Sequence, residues 1–107
     1  MKLLIGAATV SIFVRHSRSL KDKRQITKSI IQKLRNEGFS AVEYQHTEDH
    51  KRASIGYSFV SADGGFLDTQ MEKAQRFFIG DFEILLGKSQ TFEMEEEFVP
   101  EPESEYE

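Results

Sequence analysis

The order in which the hydrophobic period changes along this chain constrains its fold more than any single motif. Leu3–Val14 is an unbroken stretch of apolar, β-branched and small residues, as in a central strand. Leu20, Ile26, Ile30, Ile31 and Leu34 then recur at helical spacing. Phe39–Gln45 reads as a second strand. In Ala53–Ser61 the residues Ala53, Ile55, Tyr57 and Phe59 alternate with Ser54, Gly56 and Ser58, the period of a strand buried on one side. Leu67, Met71, Ala74 and Phe78 return to helical spacing, and Phe82 to about Met94 supplies a last strand with Phe82, Ile84 and Leu86 expected on one face. The order β-α-β-β-α-β predicts an α+β, ferredoxin-like sandwich: a four-stranded antiparallel sheet with two helices on one face.

The punctuation agrees with this reading. Ser19 is placed to cap the first helix, with Asp22 three residues on, and Gly38 follows Glu37 where a helix over Leu20–Glu37 would end left-handed. Asp63-Gly64-Gly65 marks entry to a second helix over Phe66–Phe78; it has neither glycine spacing of a phosphate-binding loop. The apolar start could pass for a secretory signal. However, Thr9 and Ser11 interrupt it, it ends at Arg15-His16, and twelve residues fall short of the roughly 20 needed to span a membrane. We read a buried strand, no membrane association and a cytoplasmic protein, which the absence of Cys suits.

The net charge of −4 averages two opposite segments. Residues 93–107 hold eight Glu and no Lys or Arg, and without them 14 basic residues face 10 acidic ones. The composition divides the chain into a basic domain over 1–94 and an acidic tail over 95–107, expected to be disordered and solubilising. A tail folded back over the basic helix is the alternative.

Eight of the cations crowd into residues 15–35 against a single acid, Asp22. On a helical wheel Lys21, Arg24, Lys28 and Arg35 fall within about 60° of one another, opposite Ile26, Ile30 and Leu34, and span roughly 21 Å. With Arg15 and Arg18 in the preceding loop, they make a candidate row of phosphate contacts. The bland alternative is a solvated helix face, but such faces mix signs, whereas this one is nearly all positive and self-repelling. Lys23 lies on the inner side of the wheel and should snorkel out past the sheet edge or meet a carboxylate, a structural pairing and not a catalytic or ligand-binding lysine.

No catalytic constellation emerges, so no enzyme and no cofactor are expected. His46 and His50 flank Thr47-Glu48-Asp49, but in a strand–strand connection and with the acids misplaced for a His-Glu-x-x-His zinc site, so no metal is assigned. The outward positions Ser54, Gly56 and Ser58 lack the aromatics on which RNA-recognition motifs stack bases, so any RNA contact should run through the helix. A face of such small residues would also admit a second sheet, giving a homodimer through the open face.

The hexamer Ser19-Leu20-Lys21-Asp22-Lys23-Arg24, directly after a strand and opening a helix, resembles the signature of the YlxP-like family of small bacterial proteins, with Ser19, Leu20 and Lys23 as structural members. Glu43, His46, Arg52-Ala53, Gly56 and Val60-Ser61 extend the similarity; His50, often aromatic in the family, departs from it. The resemblance implies a ferredoxin-like fold and no established activity, and a link to RNA or the ribosome by association, since family genes often lie beside translation and ribosome-maturation factors. The functional expectation is an RNA- or ribosome-associated accessory protein. The alternatives are a homodimeric adaptor whose basic face meets an acidic protein, and a small-ligand-binding domain.

Overall fold

A computed structural model describes residues 2–45, 48–80 and 82–95. The elements run β1 (Lys2–Val14), α1 (Leu20–Asn36), β2 (Ser40–Tyr44), β3 (Arg52–Ser61), α2 (Gly64–Gln75), a 3₁₀ turn (Arg76–Phe78) and β4 (Phe82–Glu95). The strands form one sheet in the order β2-β3-β1-β4, with every neighbouring pair antiparallel. This is the expected ferredoxin-like fold.

Helix ends are set by local chemistry. The Ser19 hydroxyl accepts from the Asp22 N–H at 3.1 Å, and the Asp22 carboxylate accepts from the Arg18 N–H at 3.1 Å, so the acid of this segment is engaged in capping. At the other end Gly38 takes φ 92°, its N–H bonds Arg35 O at 3.0 Å and Phe39 N–H bonds Leu34 O at 3.0 Å. That double bond is a Schellman stop; it ends α1 at Asn36, one residue before the sequence reading, and leaves Glu37 as the cap. Asp63 caps α2 by accepting from Phe66 N–H at 3.1 Å, so the helix begins two residues earlier than its apolar period. Its last turn tightens to 3₁₀ over Arg76–Phe78.

The core lies between the helices and one face of β1, β2 and β3. Ile12, Ile30, Leu34, Ile55 and Leu67 are fully enclosed. Phe39 packs edge-on to Tyr57 at 5.6 Å between centroids, and Tyr57 stacks with Phe78 at 5.9 Å. Ala53, Ile55, Tyr57 and Phe59 point inward as read, and Ser54, Gly56 and Ser58 lie on the other face. Gly6 admits α2: a Cβ there would sit 2.8 Å from Met71 Sδ and 3.0 Å from Leu67 Cδ1.

β4 departs from expectation. Register shifts between Ser11 and Ile12, so that Ser11 faces Leu86 but Ile12 faces Ile84. The bulge turns Phe82 and Ile84 to the helix side and Leu86 to the open side, instead of all three to one face. Beyond Phe82, the strand is solvent-exposed along its length, since neither helix extends over it. It runs through Glu95, paired with Lys2, so the folded part passes one residue into the segment read as tail; residues 96–107 lie outside the described residues. No helix among the described residues is long and apolar enough to cross a membrane.

Candidate nucleic-acid interface

β1 delivers the chain to Val14, and a five-residue loop turns it into α1. That loop is held from across the sequence. Lys51 Nζ donates to the carbonyls of Arg15 and Ser17, both at 2.8 Å, and Val14 N–H bonds Lys51 O at 2.7 Å. Ser17 is fully buried and donates its hydroxyl to Ser19 O at 3.1 Å. Lys23, 3% exposed, sends its ammonium to the backbone carbonyl of Asp49 at 2.6 Å. The Asp49 carboxylate in turn accepts from Lys51 N–H at 2.8 Å and pairs with Arg52 at 3.4 Å. The β2–β3 connection is therefore stitched to the start of α1 by two lysines. The Lys23 ammonium is thus buried and not at the rim, and one of its contacts is a backbone carbonyl of a distant loop, where the expectation named a carboxylate.

Sequence reasoning missed Lys51 and Asp49. They lie in a polar stretch with no period, and their role appears only when the two loops meet in space. His46 of that connection is outside the described residues, so its pairing with His50 is not placed.

The six candidate phosphate contacts divide. Arg18, Lys21, Arg24 and Lys28 are exposed, and no ion pair joins any of them to a described residue. Arg15 pairs with Glu83 of β4 at 3.1 Å, with both side chains more than half exposed. Arg35 reaches back to the carbonyl of Ala41 at 2.8 Å and supports β2. The strip thus narrows to four cations around the first two turns of α1. From Lys21 to Lys28 it covers about 10 Å of helix. The reason for both losses is tertiary: the partners come from β4 and β2, which the helical wheel does not contain.

A cleft of about 270 Å³ opens on the helix face among Ala8, Val10, Tyr57, Phe78 and Ile84, away from Lys23. Burial pushes the Tyr57 phenol above its ordinary range.

The family described as protein of unknown function (DUF503) matches residues 5–90. The chain belongs to this family. For DUF503 the match spans both helices and the cationic strip, while the family itself carries no assigned activity. No curated protein matches the chain. Among solved structures, a candidate chlorite dismutase, TA0507, is 14% identical with TM-score 0.47; the match covers 82% of this chain and 43% of that one, so the chain spans less than half of that protein. The protein SO0527 from Shewanella oneidensis is 13% identical with TM-score 0.43, covering 83% of this chain and 90% of its own. A dimeric ferredoxin-like protein from an uncultured marine organism is 13% identical with TM-score 0.33, covering 94% and 95%. These are likenesses of fold to a DUF503 chain and nothing more.

Proposed function

We propose that this chain is a YlxP-like, non-enzymatic, cytoplasmic accessory protein that contacts RNA, free or in the ribosome, through the N-terminal half of α1. One observation carries the reading: Arg18, Lys21, Arg24 and Lys28 stand exposed together, without an ion pair to any described residue, while the acid among them is engaged in capping. Unshielded like charges at i,i+3 and i,i+4 cost an isolated helix a few tenths of a kcal/mol per pair. Bound phosphates would offset that cost and release counterions. The contacts are electrostatic and carry no base readout, so recognition of a particular RNA would come from its shape.

The test is recovery of RNA with the protein from cells, with and without nuclease. The Lys21→Glu, Arg24→Glu, Lys28→Glu variant should fold and recover none. Equal recovery by the variant would remove α1 as the site, and a partner that survives nuclease would point to an acidic protein instead.

A further inference from the structure

The face of the sheet turned away from the helices has an unusual composition for a solvated surface. Register places Leu3 opposite Met94, and Ile5 between Phe92 and Val60. These side chains form one apolar patch at the end where β1 begins, and Val60, Phe92 and Met94 are 56%, 48% and 57% exposed. At the far end Phe13 and Leu86 share the face, with Leu86 70% exposed. Between them lies a waist of Ala7, Thr9, Gly56 and Ser58, with Lys88 and Gln90 on the edge strand.

Charge is scarce here. Arg52, Glu83 and Lys88 are the charged strand residues whose register puts them on this face among the described residues. Arg52 is tied to Asp49 and Glu83 to Arg15, which leaves Lys88 on the outermost strand, able to extend past the rim. Two exposed apolar patches on one nearly uncharged sheet face mark an interaction surface.

We propose that its occupant is a second copy of this chain, packed sheet to sheet. Two properties select that partner. The face has almost no net sign, so it neither attracts a polyanion nor repels its own copy, as a self-complementary two-fold contact requires. Its size also fits. Strands of 13, 5, 10 and 14 residues, at about 3.3 Å per residue and about 4.8 Å between strands, present about 650 Å². Two such faces bury about 1,300 Å², within the range of stable specific interfaces. The small residues of the waist let two twisted sheets approach to about 10 Å while apolar side chains close the ends. Both helix layers, and with them both cationic strips, remain on the outside of the pair.

Sedimentation equilibrium of the full chain between 5 and 200 µM tests this. The expected mass is twice 12.3 kDa. Phe92→Lys places a charge in the patch at an exposed position and should weaken the dimer at least 100-fold, with an unchanged circular dichroism spectrum. Met94→Lys, more exposed still, should do the same and stands in if the first variant misfolds. A monomeric parent at 200 µM would overturn the proposal. A dimer that survives both substitutions would overturn it as well, because the contact would then lie elsewhere than on this face.

Discussion

Neutralising three cations of α1 should change how RNA affinity depends on salt, by an amount fixed by how many of these side chains have no ion pair to a described residue. Four such cations, each neutralising one phosphate, predict a slope of log K against log salt of about −2.8 for a single strand. Affinity should then fall about 50-fold between 50 and 200 mM salt. The Lys21→Gln, Arg24→Gln, Lys28→Gln variant keeps Arg18 alone, so the slope should shrink to about −0.7 and the fall to about threefold. Removing like charges at i,i+3 and i,i+4 should leave its stability equal to the parent's or a few tenths of a kcal/mol higher. Glu83→Gln should act in the opposite direction. It releases Arg15 from a 3.1 Å pair that is exposed enough to contribute at most about 1 kcal/mol, and the slope should steepen to about −3.5. Fluorescence anisotropy of a labelled 12-nucleotide RNA, titrated at five salt concentrations, reads all three slopes. A triple variant with the parent's slope would refute the assignment, because the charge that matters would then lie elsewhere.

Further substitutions probe the scaffold. Gly6→Val should cost about 1–3 kcal/mol in urea unfolding, since its branches drive further into Met71 and Leu67, whereas Gly6→Ala asks Met71 to rotate and Leu67 Cδ1 to give way slightly and should cost less. Lys23→Met should cost about 2 kcal/mol by leaving the Asp49 carbonyl without its charged donor, read as a lower urea midpoint at unchanged m. For Tyr57 the folded state disfavours the phenolate, so its contribution is complete below pH 10 and is lost as pH rises beyond the ordinary tyrosine range. Tyr57→Phe should therefore flatten the alkaline fall in stability seen by thermal unfolding from pH 9 to 11, with little change at pH 7.

What could be read from the chain before folding was whatever is local. The Ser19 cap, the Gly38 stop and the Asp63 entry each depend on residues within five positions, and the alternation over 53–59 reports directly which side is buried. Tertiary partners were not legible. In the sequence Arg15 and Arg35 look like Arg18, Lys21, Arg24 and Lys28, and Glu83 and the Ala41 carbonyl meet them only through the sheet. The bulge in β4 was hidden because it arises from pairing with β1, and one extra residue there reverses which side Leu86 faces. The open face was legible only in part, for a related reason. β3 shows the small outward residues Ser54, Gly56 and Ser58, but most of the apolar ends come from β1 and β4, whose outward positions are fixed by register.

The Lys51 bridge has a consequence for association. Because its ammonium grips the carbonyls of Arg15 and Ser17, the main chain that carries Arg18 into the helix is already tied to the sheet before any polyanion arrives. The entropy forfeited on contact then falls mainly on the rotamers of long aliphatic stems, on the order of 1 kcal/mol each. Encounter should accordingly be fast and release governed by ion exchange, the kinetic profile of a factor that visits a large RNA surface repeatedly without being retained on it.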